Sequence, residues 1–186
     1  MEENLEIEFK VLIDQDTFDQ IINDHHIDAT YQQTNYYLMH PKLTELKYML
    51  RIREKQGQYE LTLKQPQTRG NLETNLTISE TTKKMILDHQ LVNNDIFALL
   101  KPYGLDSTMF KTDCFLTTTR HEIKTPTGLI CLDFNQYNGI NDYELEYEVY
   151  DFHQGRQAFL DFIAQYQLSY TNSCPSKIKR LMDSFK

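Results

Sequence analysis

Alternation governs what this chain can fold into. Residues 6 to 10 read Glu6-Ile7-Glu8-Phe9-Lys10, and in an extended strand successive side chains point to opposite faces. Glu6, Glu8 and Lys10 then share one face, and Leu5, Ile7, Phe9 and Val11 share the other. Two such carboxylates lie about 6–7 Å apart at a rise of ~3.3 Å per residue. That spacing can hold a hard divalent cation, and a lysine two positions on can meet an anion carried by the cation. One strand of this kind, taken alone, reads as an amphipathic strand with its charges in water. The pattern gains its weight by recurring.

Eight stretches are predicted as strands, at about 4–13, 29–39, 47–55, 59–65, 70–79, 112–124, 128–137 and 142–150. Gln56-Gly57-Gln58 turns the third into the fourth, and Thr125-Pro126-Thr127-Gly128 turns the sixth into the seventh. Arg51 and Arg53 stand opposite Leu50 and Ile52, and Thr62 and Lys64 stand opposite Leu61 and Leu63. Glu73, Asn75 and Thr77 oppose Leu72, Leu76 and Ile78, while Thr118, Arg120 and Glu122 share a face. Asp133 and Asn135 oppose Ile130, Leu132 and Phe134, and Glu144, Glu146 and Glu148 oppose Tyr143, Leu145, Tyr147 and Val149. Helical spacing is predicted from Thr17 to His25 behind Asp16, after Ser79, from Asp95 to Pro102, from His153 to Gln167, and from Ser176 to Phe185.

The 186 residues suit one domain, 1–186, with a sizeable core. Twelve Tyr and ten Phe against six Gly favour strand-rich structure over disorder. A net charge of −8 argues against nucleic-acid binding, yet leaves room for a small, locally basic pocket that takes a polyanion. No apolar run approaches the ~20 residues that span a bilayer. Met1-Glu2-Glu3-Asn4 lacks the basic start of a signal peptide, so no membrane is expected and the cytoplasm is the expected location. Cys114, Cys131 and Cys174 form no CxxC, which favours reduced, mostly buried thiols over a zinc site or a disulfide framework. The six histidines show no metal-ligand spacing, and His121 falls on an apolar face.

Two architectures satisfy strands with one charged and one apolar face. A sheet or sandwich buries the apolar faces and wets the charged ones. A barrel turns the charged faces inward and covers its apolar exterior with helices, which removes open strand edges and requires the inner charges to be matched by partners or a ligand. The choice of residues leans to the barrel. Arg51, Arg53 and Arg120 are suited to forked phosphate contacts. If the first and last strands are neighbours, Glu6, Glu8, Glu144 and Glu146 come together and repel unless a divalent cation sits among them.

This ordered set resembles the CYTH family, the triphosphate tunnel metalloenzymes, and within it the small bacterial single-domain members. The likeness is carried by Glu6-x-Glu8-x-Lys10, Arg51-x-Arg53, Lys64 within Leu61-Thr62-Leu63-Lys64, Glu73, Arg120, Asp133, Glu144-x-Glu146 and Ser176-Lys177, spread over nearly the whole chain. The resemblance implies an α+β fold: an eight-stranded antiparallel closed β-barrel forming a tunnel, with helices packed outside. It implies a triphosphate-containing small molecule as ligand, Mg²⁺ or Mn²⁺ as cofactor, and metal-dependent hydrolysis of the terminal phosphoanhydride of inorganic tripolyphosphate or a nucleoside triphosphate. Other members make cyclic AMP or hydrolyse thiamine triphosphate, so an adenylate cyclase and a non-catalytic polyphosphate or nucleotide sensor are the alternatives. Two positions depart from the family pattern. Thr118 stands where a basic residue is frequent, and Leu38-Met39 follows Tyr36-Tyr37 where an acid is frequent.

With that resemblance, charge assigns the roles. Glu6, Glu8, Glu144 and Glu146 are expected to hold the cation, with Asp133 as a further ligand or a partner through water. Arg51, Arg53, Lys64, Arg120 and Lys177 are expected to grip the phosphates. Lys10 is expected to meet the terminal phosphate or place the attacking water, acting in catalysis with Glu6 and Glu8. Glu73 is expected to orient an arginine or bind a second metal.

Overall fold

Alternating sequence becomes strand almost wherever the period of two predicts it. The computed structural model describes residues 1–185. In chain order these residues form β1 (Glu2–Glu6), β2 (Glu8–Ile13), α1 (Gln15–Asp24), β3 (Ala29–Met39), α2 (Pro41–Leu46), β4 (Met49–Lys55), β5 (Gln58–Pro66) and β6 (Asn71–Ile78). There follow α3 (Glu80–Leu87), α4 (Asp95–Leu100), a 3₁₀ turn (Lys101–Tyr103), β7 (Lys111–Thr125), β8 (Gly128–Tyr137), β9 (Ile140–Val149), α5 (Phe152–Ala164) and α6 (Lys177–Asp183). The class is α+β with antiparallel strand pairing, as expected. Two compact units make up the chain: Met1–Leu5 with Gln33–Leu116, and Glu6–Gln32 with Thr117 onward.

In the first unit the hydrogen-bonded order is β1-β6-β5-β4-β3-β7, with β3 and β7 each giving part of their length to each unit. Register places Arg51 between Tyr37 and Thr62, Arg53 between Asn35 and Glu60, and Lys64 opposite Glu73. The other face carries Leu50, Ile52, Leu61 and Leu63, which are 0–1% exposed and pack with Ile86 of α3 and with Ile96 and Leu100 of α4. Each such side chain contributes about 1.5–3 kcal/mol when fully buried.

The second unit is ordered β3-β7-β8-β9-β2. Phe9, Val11, Ile130, Leu132, Leu145 and Tyr147 form its apolar face, packed with Phe18 and Ile21 of α1 and with Phe159 and Ile163 of α5. His121 lies on this face, edge-on to Phe18 with ring centroids 5.8 Å apart, and shares a 2.9 Å hydrogen bond with the Thr30 hydroxyl. Phe159, Phe162 and Ile163 are core residues, as their helical spacing indicates.

In both units the charged faces are buried too. Arg51, Thr62 and Glu73 in the first unit, and Thr118, Arg120, Asp133, Glu144 and Glu146 in the second, are at most 8% exposed. A sheet with its charged face in water is excluded by that burial.

Three local expectations change. The stretch at 4–13 is two strands, so there are nine strands among the described residues rather than eight. The segment changes partner at Ile7, β1 pairing with β6 and β2 with β9. Leu5 consequently lies 54% exposed rather than on the apolar face. Helix α1 is capped by Asp14, whose carboxylate accepts from the Thr17 amide, two residues before the expected start at Asp16. Helix α2 was not expected. Its signal is Pro41 in the first turn, preceded by His40, whose ring accepts from the Lys42 amide at 3.1 Å. Among the described residues no helix is long and apolar enough to cross a membrane, and the three cysteines are free.

Candidate active site

Rows of cross-strand neighbours build the charged face of the second unit. Arg120 of β7 stands opposite Asp133 of β8, which stands opposite Glu144 of β9. In the next row Cys131 opposes Glu146, and Glu146 opposes Lys10 of β2. Arg120 forks onto Asp133, Nε to Oδ1 and Nη2 to Oδ2 at 2.7 Å each, and also donates to Glu146 at 2.5 Å and Glu148 at 3.2 Å. Lys177 enters from α6, begun by its cap Ser176. Its Nζ lies 2.8 Å from Asp133, 3.0 Å from Glu144 and 2.6 Å from Glu146. Lys10 Nζ meets Glu8 Oε1 at 2.5 Å. Glu6, half-buried, ends β1, with Ile7 alone between it and the start of β2 at Glu8.

Burial alone would raise Asp133, but the Arg120 and Lys177 charges hold its carboxyl below the usual range. Glu146 lies well below the usual range: burial is again opposed, here by Lys177, Arg120 and Lys10. Burial would lower Lys177, but Asp133, Glu144 and Glu146 raise it well above an ordinary lysine. Lys10 is raised against its burial by Glu8, Glu146 and Glu144. These groups are therefore charged at neutral pH.

Two residues of this network lie outside the sequence assignments. Arg180 of α6 donates from Nε to Asp142 at 2.8 Å and from Nη2 to Glu144 at 2.6 Å. The signals were present: Arg180 is three residues past Lys177 on a helix, and Asp142 is two residues before Glu144 on a strand. Thr118 is buried and donates to Asn135 at 2.7 Å, and Asn135 donates to Asp142 at 2.9 Å. The positive charge that reaches this row is thus Arg180, rather than the Lys111 or Lys124 that flank Thr118 in sequence. Glu148, which sequence alone allows as a surface charge, pairs with Arg120 and is one-third exposed.

Three cations (Arg120, Lys177, Arg180) and five carboxylates (Asp133, Asp142, Glu144, Glu146, Glu148) make one connected network. Among the described residues the carboxylates named here outnumber the cations by two, the charge that one divalent cation carries. Hard carboxylate oxygens with that surplus fit Mg²⁺ or Mn²⁺ in chemistry. Among the described residues no three His, Cys, Asp or Glu side chains converge as a ready-made cage; the Lys177 ammonium instead holds the place between three of the carboxylates.

The first unit brings together Arg51, Arg53, Lys64 and Glu73. Lys64 forms an ion pair with Glu73, and Arg51 Nη2 lies 3.9 Å from the same carboxylate. Burial pushes Glu73 up, but Lys64 and Arg51 bring it net below the usual carboxylate range. Arg53 Nε donates to Asn35 Oδ1 at 3.2 Å. Arg51 Nε is buried and has no acceptor among the described residues. An unmatched buried guanidinium donor is costly, and an anionic ligand is the partner it suits.

An α+β protein with such charged, buried strand faces belongs to a recognisable class, and the comparisons identify it. The CYTH domain model matches residues 4–181, and the chain belongs to the CYTH family. It is 33% identical over 172 residues to "Putative triphosphatase YjbK" of Bacillus subtilis (strain 168), covering 90% of each chain. A Bacillus halodurans crystal structure described as "a putative adenylate cyclase" matches with a TM-score of 0.88 and 32% identity, over 97% of this chain and 98% of that one. A Hippeastrum protein, described as an adenylyl cyclase candidate with a dominant triphosphatase activity, shares the fold at a TM-score of 0.77 and 18% identity, over 96% of each chain.

Proposed function

We propose that this protein is a divalent-metal-dependent triphosphatase, cleaving the terminal phosphoanhydride of inorganic tripolyphosphate or a nucleoside triphosphate. The observation that carries the proposal is the buried Arg51 Nε, a donor without an acceptor among the described residues, on the strand that also carries Arg53. Family membership and the 33% identical relative named as a triphosphatase support the same reaction. Residues 1–186 act as one domain in this proposal, since the family model runs through both units.

Arg51, Arg53 and Lys64 bind phosphate oxygens, with Glu73 holding Lys64 in place. Glu6, Glu8, Asp133, Glu144 and Glu146 would hold Mg²⁺ or Mn²⁺, which when bound neutralises phosphate oxygens as a Lewis acid. Lys10, paired with Glu8, would meet the terminal phosphate or orient the attacking water. Lys177 and Arg120 keep the carboxylates ionised. In-line transfer spreads charge over equatorial and leaving oxygens, and fixed cations stabilise it without reorganising.

A second reading, adenylate cyclase, follows from the description of the 32% identical Bacillus halodurans structure. One experiment separates the two: phosphate and cyclic AMP release from tripolyphosphate, ATP and thiamine triphosphate, with Mg²⁺, Mn²⁺ or EDTA, alongside Glu6→Gln/Glu8→Gln. Metal-dependent phosphate release that the double variant loses is the expected result. Cyclic AMP without phosphate release would replace the proposal with a cyclase. If neither product forms while tripolyphosphate still raises the melting temperature, the protein is a binding module.

A further inference from the structure

Arg180 touches the acidic network from outside the expected site. Its Nη2 donates to Glu144 Oε2 at 2.6 Å, its Nε to Asp142 Oδ2 at 2.8 Å, and its Nη1 to the backbone carbonyl of Pro175 at 2.6 Å. Asp142 is itself anchored, accepting from the Tyr137 hydroxyl at 2.6 Å and from Asn135 Nδ2 at 2.9 Å. Behind Asn135 stands Thr118, at 2.7 Å. The guanidinium is thus fixed by a chain of groups from β7, β8 and β9. It passes that placement to two further groups. One is the Glu144 carboxylate, which also meets Lys177 at 3.0 Å and the Cys174 thiol at 3.5 Å. The other is the turn at Pro175, just before the Ser176 cap of α6, the helix on which Lys177 sits.

A planar fork can serve two carboxylates and a carbonyl at once, because its donors point in fixed, divergent directions. A lysine ammonium keeps the charge without that geometry. We propose that Arg180 is a positioning residue of the cation site: it sets the rotamer of Glu144 and the register of α6, so that Glu144 and Lys177 are placed for a divalent cation and the phosphate it carries. The proposal rests on the triphosphatase reading above. Its rival is simple charge balance, in which Arg180 only neutralises neighbours. The two differ in sign. A pure neutraliser, once removed, leaves the network more negative and tightens cation binding; a positioning residue, once removed, weakens it.

The test is calorimetric titration of Mn²⁺ into the substrate-free full chain, for the wild type, Arg180→Lys, Arg180→Gln and Asp142→Asn. Partners that orient a ligating side chain change metal affinity by roughly 10–100-fold when mutated. Both Arg180 variants are expected to bind Mn²⁺ at least about tenfold more weakly, the lysine variant despite its retained charge, and Asp142→Asn is expected to move the same way. Should Arg180→Gln fail to fold, Arg180→Lys decides, because Asp142→Asn loses a negative charge and weakens cation binding under either reading. Equal or tighter Mn²⁺ binding in Arg180→Lys would overturn the assignment while leaving the triphosphatase reading intact. A wild-type chain that neither binds Mn²⁺ nor releases phosphate would overturn that reading, and this one with it.

Discussion

Arg120 holds both oxygens of Asp133, Nε on Oδ1 and Nη2 on Oδ2 at 2.7 Å each, with the aspartate fully buried. The same Nη2 reaches Glu146 at 2.5 Å. Lys177 is engaged in the same way, by three carboxylates. Arg51 Nε, by contrast, is buried and has no acceptor among the described residues.

Stability should depend on pH with a defined sign. Asp133, Glu146 and Glu73 are lowered in the folded chain, so the unfolded chain takes up protons first as pH falls. Their contribution is present above the ordinary carboxylate values of about 4 and is lost as pH drops through the folded values. At the alkaline end, burial raises the Cys131 thiol well above its ordinary value. The unfolded thiol ionises from about pH 8.5, and stability declines as pH rises past that point. Urea midpoints measured across the range should therefore plateau near neutrality and fall on both sides. A midpoint as high at about pH 2.5 as at about pH 6 would contradict the ion-paired network.

Much of this was legible from alternation alone. A period of two puts Arg51 with Arg53 and Glu144 with Glu146 on shared faces whatever the strands pair with, and the register bears that out. The break at Ile7 was not legible, because the Leu5–Val11 alternation continues unbroken through a change of partner strand. Partner choice was equally hidden. Alternation puts Arg120 on the charged face but does not say that β8 and β9 set Asp133 and Glu146 within reach of its fork. Asp142 and Arg180 escaped for a related reason. Each lies at the right spacing, two residues before Glu144 and three after Lys177, but only the docking of α6 joins them.

Arg51→Met should separate binding from folding. It removes a buried Nε that has no acceptor among the described residues, together with a charge 3.9 Å from Glu73; Lys64 still pairs with Glu73, so the free protein should lose stability yet remain folded. Loss of one fixed charge-stabilising donor costs about 2.7–4 kcal/mol, or ~10²–10³ in kcat. Tripolyphosphate should raise the melting temperature of the wild type and fail to raise that of the variant. Full turnover in Arg51→Met, or undiminished protection by tripolyphosphate, would remove Arg51 from the phosphate site.

Lys177→Met should expose the charge surplus directly. The ammonium lies within 3.0 Å of Asp133, Glu144 and Glu146, and methionine fills similar space without the charge. Removing one partner from a buried ion-pair set costs about 3–5 kcal/mol, because the remaining charges stay buried and unmatched. Part of that loss should return when Mn²⁺ is added, since the metal then meets carboxylates that no ammonium holds. In the wild type the ammonium already compensates these carboxylates, so the stabilising effect of the metal should be smaller. Guanidinium-chloride unfolding of both proteins with Mn²⁺ and with EDTA checks this. Equal gains from Mn²⁺ in the two proteins would mean that the cation binds away from Lys177, and the ligand assignment of Asp133, Glu144 and Glu146 would fall.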